Sequence, residues 1–217
     1  ALHLQLLDQK KTNFQISQLK TPYLGKSIDI EEEKRLIKKI KKNNKYKVYS
    51  KKINTLAAKL LSKNHILARC VGKTEYGARA LGNRSILANP KNKEINNELN
   101  RRLNRSDFMP FAPVVIEDDM KDLFLDWKEN DKTAEYMTST YNINTKYQNL
   151  MSAVVHVDKT ARPQIVSKIK YPFLYNVLKE IKKLSGVGVA INTSFNLHEE
   201  PIVESPNDAL VALKKNA

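Results

Sequence analysis

What the sequence lacks narrows the possibilities first. Cys70 is the single cysteine in 217 residues, so an internal disulfide framework is impossible and a reducing compartment is indicated. No apolar run approaches the ~20 residues of a membrane-spanning helix, and the first residues lack the charged-then-apolar order of a secretory signal. A soluble, cytoplasmic protein with no membrane partner is therefore expected. The four histidines, His3, His65, His156 and His198, are dispersed, and none pairs at the spacing of metal ligands on one helix face, so no protein-built metal site is expected. Aromatic residues make up only 7%, with no interleaved basic and aromatic stripe for stacking single strands. There is no internal repeat. No P-loop occurs either, because Lys73 follows Gly72 directly and no Gly-Lys-Ser/Thr ending is found. An initiator methionine is missing as well: the chain opens on Ala1-Leu2-His3, and a fragment or processed chain is expected.

What is present is charge of one sign and a substantial apolar fraction. Lysine and arginine total 38 against 23 acidic residues, a formal +15, while 41% of residues are hydrophobic. That composition suits one globular domain with a respectable core, or one domain plus an attached segment. The charge would attract nucleic acid, an anionic surface or a small polyphosphate, and by itself it does not choose among them. Lysine tracts such as Lys38-Lys39-Ile40-Lys41-Lys42 read most simply as solvated helix faces.

The pattern of apolar residues predicts a lead-in followed by an α/β body. Residues 1–30 read as a linker, punctuated by Pro22 and Gly25. Asp29 ahead of Glu31, Glu32 and Glu33 predicts a capped helix start. Further helices are predicted over 53–62, 94–103, 172–184 and 208–213, and strands over 66–72, 85–88, 112–116, 153–157 and 188–191. Strands interleaved with helices predict a mixed sheet covered by helices.

Four segments carry candidate chemistry. Residues 72–85, GKTEYGARALGNRS, set Lys73, Arg79 and Arg84 among Gly72, Gly77 and Gly82. Glycine permits positive φ and close approach of backbone, and arginine offers a fixed fork of donors to phosphate, so a polyanion would fit; an exposed loop with ordinary surface arginines is the plainer alternative. Residues 104–113, NRSDFMPFAP, bring Arg105 beside Phe108 and Phe111, which could stack on a base or simply fill the core. In VVHVDKTARPQ, residues 154–164, strand alternation would put His156 and Asp158 on one face, with Thr160 and Arg162 following. A buried, satisfied histidine is the competing reading of His156. In AINTSFNLHEEP, residues 190–201, a strand delivers Asn192, Thr193, Ser194 and Asn196 to a loop, where their amides and hydroxyls could contact phosphate or only cap a turn.

In their order and wording, GKTEYGARALGNRS, FMPFAP, HVDKTARPQ and NTSFN followed by EPIV resemble the carboxy-terminal region of NodU/CmcH-type O-carbamoyltransferases. The resemblance runs from PYLG at 22–25 to PNDAL at 206–210. It implies a YrdC-like α/β domain over 31–217, with a mixed twisted sheet covered by helices. Residues 1–30 would then be linker and the tail of a preceding Kae1-like domain, the partner that binds iron and the acceptor. The implied activity uses ATP, Mg²⁺ and carbamoyl phosphate: carbamate, freed from carbamoyl phosphate, attacks the α-phosphorus of ATP and yields carbamoyl adenylate for transfer to a hydroxyl of a sugar, polysaccharide or natural product.

The resemblance also implies roles. Arg79 and Arg84 would contact phosphate, and His156 and Arg162 the carbamoyl phosphate end, as the catalytic set. Lys73, Asn83, Ser85, Arg105, Asp158, Asn192, Ser194 and Asn196 would bind the cofactors. Several residues depart from the family pattern: Lys73 stands for arginine, Ala78 for proline, Met109 for arginine and Glu199 for glycine. A residue at 199 is thus expected to meet a backbone that favours positive φ. A threonylcarbamoyl-adenylate synthase and a non-catalytic RNA-binding YrdC-like domain are the alternatives; nucleic acid is not the expected partner.

Overall fold

The computed structural model describes residues 21–104, 111–129, 131–197 and 199–215. Helix α1, Ile30–Lys41, begins where Asp29 accepts hydrogen bonds from the amides of Glu31 and Glu32, at 2.8 and 3.2 Å. Glu31 to Glu33 lie at its positive end and Lys38, Lys39 and Lys41 at its negative end, so both ends complement the helix dipole. None of its residues is buried, in keeping with a peripheral, highly charged helix.

Five strands form the central sheet: β1, Leu67–Cys70; β2, Arg84–Ala88; β3, Ala112–Ile116; β6, Gln164–Val166; and β7, Val189–Ser194. Their spatial order is β1-β2-β7-β3-β6, antiparallel throughout except for the parallel pair β3 and β6. Two short strands, β4 (Tyr141–Asn142) and β5 (Thr160–Ala161), pair separately.

Side chains alternate between two cores, as a sheet covered on both faces requires. Leu87, Val114, Ala190 and Val166 face helices α2 (Ile53–Ser62) and α5 (Pro172–Ser185), meeting Ala58, Leu61, Leu174 and Leu178. Their neighbours Ile86, Val115, Ile191 and Ile165 face the other way, toward Leu99 of α3 (Glu94–Arg102) and Met120 and Leu123 of α4 (Met120–Leu123). Pro172 opens α5 and Gly186, at φ 86°, ends it. The last helix, α6 (Pro206–Lys215), meets α1, where the Asn207 amide donates to Glu32. Every predicted helix is present.

Two expectations change. Residues 153–157 form no strand: Val154 donates to the Met151 carbonyl in a turn and Ala153 to that of Pro90, with Val154 fully buried. An apolar run records burial, and a buried turn meets that requirement as well as a strand does. The sheet position is filled instead by β6, whose Gln164 and preceding Pro163 disguise it. Within the expected linker, residues 21–28 are hydrogen-bonded along residues 72–76, with Gly25 donating to Thr74, Thr74 to Lys26 and Ile28 to Gly72. A Cβ on Gly25 would lie 1.9 Å from the Thr74 hydroxyl, so glycine is what allows this approach.

Candidate functional site

The loop joining β1 to β2 is shaped by an acidic residue among its cations. One carboxylate oxygen of Glu75 accepts from the amides of Leu81, Asn83 and Arg84 at 2.8, 2.7 and 3.2 Å. Gly72, Gly77 and Gly82 all hold positive φ. At Gly82, φ is 119° and a Cβ would come within 2.4 Å of Leu174, so both conformation and space require glycine. Asn83 donates to the Lys73 carbonyl at 2.8 Å and Tyr23 to that of Leu81 at 2.9 Å.

Arg84 is not placed to contact phosphate. Its side chain is fully buried, and its guanidinium donates to the carbonyls of Val71 (2.5 Å), Asn83 (3.1 Å), Gly72 (3.3 Å) and Glu204 (2.9 Å). An arginine in a loop motif reads as a ligand contact, but on β2 its side chain points into the body and ties loop, strand and the α6 approach together.

Beneath the loop lies a polar layer that includes Gln164, the last residue of the 154–164 motif, for which no role was expected. Asn192 donates to the Ala80 carbonyl (3.0 Å) and to the Gln164 amide oxygen (2.7 Å), while Gln164 donates to the Leu81 carbonyl (2.8 Å). The loop is thereby fastened to β6 and β7. The Asn192 amide oxygen and the Ser85 hydroxyl are buried without a hydrogen-bond partner among the described residues. Ser85 sits opposite Ser194 in the sheet, and Asn192, two residues back along β7, lies on the same face.

His156, Asp158 and Arg162 do come together, through a turn rather than strand alternation. The His156 amide donates to the Thr160 carbonyl (2.8 Å) and that of Lys159 to the His156 carbonyl (3.0 Å), with Lys159 at φ 65°. Asp158 accepts from the Thr160 amide (3.0 Å) and hydroxyl (2.7 Å), and that hydroxyl lies 3.1 Å from His156 Nδ1. A hydroxyl carries one proton; since Thr160 spends it on Asp158, Nδ1 is the donor and the neutral ring keeps its lone pair on Nε2.

Burial holds the His156 pKa below its ordinary value, aided by the Arg162 charge and opposed by Asp158. Burial, then the neighbouring Arg79 charge, lowers the pKa of Arg162, whose Nε is buried without a partner. Two guanidinium groups thus lie close enough to oppose each other, and no carboxylate pairs with either among the described residues. Such an arrangement favours an anion between them.

The remaining candidates are more scattered. Lys73 is exposed on the loop. Asn196 spends its amide on the carbonyls of Leu197 and Glu200, both at 2.9 Å, bracing a turn in which Glu199 adopts φ 63°. The positive φ expected at 199 is present. Phe111 is buried in the core; Arg105, Phe108 and His198 lie outside the described residues. Among the described residues, no group of three or more His, Cys, Asp or Glu could hold a metal ion.

A family model described as the carbamoyltransferase C-terminus matches residues 58–217. An uncharacterized protein of Methanocaldococcus jannaschii is 36% identical over 198 residues, covering 90% of this chain and 32% of that protein. Nodulation protein NolO of Bradyrhizobium diazoefficiens is 35% identical over 159 residues, 73% of this chain and 29% of its own length. The chain therefore spans about a third of the curated relatives it matches. A crystal structure of full-length HypF in its phosphate- and nucleotide-bound form superposes with a TM-score of 0.54 at 19% identity, covering 79% of this chain and 21% of HypF. At that identity the likeness shows the fold.

Proposed function

Because the chain belongs to the carbamoyltransferase C-terminus family, we propose that it binds ATP and carbamoyl phosphate in a cleft formed by the 72–85 loop, the 156–162 turn and the ends of β2 and β7 once the ligands are seated. The observation that carries this reading is the Arg79 and Arg162 pair, two mutually repelling cations without a carboxylate partner among the described residues, on segments that Asn192 and Gln164 tie together, with the Ser85 hydroxyl and Asn192 amide oxygen buried and unpartnered on β2 and β7. These are groups suited to phosphate oxygens and to a nucleotide's donors. The two parts are mechanically continuous. Arg79 precedes Ala80, and Arg162 lies two residues before Gln164, so the bonds from Asn192 and Gln164 to the Ala80 and Leu81 carbonyls fix one half of the cleft against the other.

In this reading Arg79 and Arg162 hold phosphate oxygens and offset the charge of two polyanions brought together. Asp158, through Thr160, fixes the His156 ring and leaves Nε2 able to take up a proton as the anions bind. Water hydrolyses carbamoyl phosphate, its oxygen joining the products as the bond between the carbamoyl and phosphoryl groups breaks, and phosphate and carbamate result; a carbamate oxygen then attacks the α-phosphorus of ATP, the bond to the β-phosphate breaks, and carbamoyl adenylate and pyrophosphate are formed. Little covalent work falls to the protein beyond position and charge. Mg²⁺ would be held mainly by phosphate oxygens and would neutralise them, with Asp158 the carboxylate at hand. Ser194, Asn83 and Lys73 border the same loop and strand ends and complete the proposed nucleotide contacts. The hydroxyl acceptor and a Kae1-like partner domain belong, in this proposal, to the part of the relatives that the chain does not cover. Among the described residues no helix is long and apolar enough to cross a membrane, and we place the reaction in the cytoplasm.

The test is to supply these 217 residues with ATP, carbamoyl phosphate and Mg²⁺ and follow pyrophosphate. Slow release that needs carbamoyl phosphate but no sugar acceptor is expected, because an adenylate without a receiving site is lost to water. No dependence of nucleotide turnover or binding on carbamoyl phosphate would overturn the reading.

A further inference from the structure

The clearest unexplained charge in the molecule is Arg69, on β1, which no motif singled out. Its register partner is Ser85, and its guanidinium lies over the Phe173 ring, 4.2 Å from the ring centre. Nε and Nη1 are both buried with no hydrogen-bond partner, and no carboxylate forms an ion pair with Arg69 among the described residues. A buried guanidinium is ordinarily paired, because taking a charge from water costs several kcal/mol unless another group replaces the hydration. The cost shows here: burial, with the nearby Arg84 charge adding to it, pushes the pKa of Arg69 down to about 10 against the smaller pull of Tyr23 and Glu75. The Glu75 oxygen that accepts hydrogen bonds is already committed to the loop amides.

Arg69 lines a cavity of about 150 Å³, bounded also by Asn83, Lys170, Tyr171, Phe173 and Tyr23. A single water needs roughly 10–15 Å³ on the same scale, and drug-sized ligands occupy about 300–1,000 Å³, so the space suits a group of a few heavy atoms. The first turn of the 14-residue helix α5 forms one wall, with no side chain capping it and no acidic residue in that turn. Tyr171, at the α5 N-cap, is only 4% exposed, and its hydroxyl, near the Gln164 amide, makes no hydrogen bond of normal geometry among the described residues, which is independent of the helix end itself. Lys170 stands at the same place, its ammonium 2.6 Å from Glu135.

We propose that this cavity is a phosphate-binding site centred on a cation other than Arg79 and Arg162 and bordering their cleft at Asn83 and Ser85, with the Arg69 guanidinium, the Tyr171 hydroxyl and the open end of α5 as its donors. The ligand class is a tetrahedral oxyanion, either free phosphate or the phosphoryl end of a compact molecule. Guanidinium and helix amides recognise both, and the cavity accommodates little beyond the group itself. The site does not depend on the proposed carbamoyl chemistry, since it is argued from an unpaired cation on β1, outside the 72–85 and 156–162 segments.

The test is calorimetric titration of the purified chain with inorganic phosphate, and in a second arm with AMP, which carries the same group on a larger body. Saturable phosphate binding is expected, lost at least tenfold in Arg69→Met and retained in the Arg79→Ala, Arg162→Ala double variant. Binding of AMP through Arg69 would assign the site to a phosphoryl end, and its exclusion to the free anion; both support the site. In the absence of phosphate, Arg69→Met is expected to melt no lower than the parent, because it removes an unpaired buried charge, whereas a purely structural arginine would be missed. Should that variant fail to fold, Tyr171→Phe and Lys170→Gln decide, each expected to weaken phosphate several-fold. No saturable binding by the parent, or unchanged affinity in folded Arg69→Met or in both substitute variants, would overturn the proposal.

Discussion

Arg84 Nη2 donates to the main-chain carbonyl of Glu204 across 2.9 Å, joining β2 to the segment that leads into α6. The same guanidinium serves the Val71 and Gly72 carbonyls on the opposite side, so one side chain closes three separate pieces of chain. Replacing it by methionine strands those carbonyls without a donor, and a loss of roughly 2–5 kcal/mol is expected in urea unfolding. Lysine should recover little, since one ammonium cannot reproduce the planar fork.

Glu75 provides a second, local prediction. Its carboxylate oxygen collects the Leu81, Asn83 and Arg84 amides, and Glu75→Gln keeps the shape while giving up the charge. A hydrogen bond to a charged group exceeds a neutral one by about 1 kcal/mol, so the variant should fold. Hydrogen exchange at those three amides should accelerate by roughly tenfold, with core amides such as Val114 unchanged.

Arg79 and Arg162 should separate binding from stability. Arg79 is exposed and makes no hydrogen bond or ion pair among the described residues, so Arg79→Ala should leave the melting temperature within a degree or two while weakening Mg²⁺-nucleotide by about 1.5–3 kcal/mol. Arg162→Ala should weaken binding comparably. Calorimetry on both variants checks this, and equal affinity in each would remove them from the nucleotide cleft.

His156 makes stability depend on pH in a predictable direction. Its pKa in the folded protein lies below the ordinary 6.5 because burial disfavours the charged ring. The unfolded chain therefore binds the proton more readily, and stability is complete above 6.5 and falls as pH drops through that value toward the folded pKa. His156→Gln should flatten this part of the profile in urea melts. Asp158, whose pKa is lowered first by the Thr160 hydroxyl, contributes at more acidic pH: its stabilisation is present above the ordinary carboxylate range and is lost as pH falls through it. An anion at Arg79 and Arg162 should favour the imidazolium, so nucleotide binding near pH 6.5 is expected to take up protons, measurable by calorimetry in buffers of different ionisation enthalpy.

Local patterns made much of this molecule legible. Leu56, Ala57, Leu60 and Leu61 recur at helical spacing and form α2, while Asp29 before three glutamates marks the start of α1, because capping and periodicity depend on residues a turn apart. The 72–85 motif likewise announced a loop of positive-φ glycines. What eluded sequence reading depended on contacts between distant residues. Gln164 resembles an exposed polar side chain until β6 is set beside β3 and its amide meets Leu81 and Asn192. Arg69 resembles an ordinary strand charge until α5 brings Phe173 over it.

The sequence by itself determined the family and the mixed α/β class, since four ordered motifs and the alternation of apolar periods are properties of the linear chain. It also determined that cations and glycines would gather in one loop. Which of those cations is left free to meet a ligand was decided only by the tertiary structure. Arg79 and Arg84 stand five residues apart in one motif, yet one is exposed in the loop and the other is sealed beneath it. The physical reason is that a guanidinium's task depends on which acceptors the packed chain places around it. Carbonyls brought from positions 71 and 204 occupy both terminal nitrogens of Arg84, leaving only Nε unpartnered, and no described acceptor reaches Arg79.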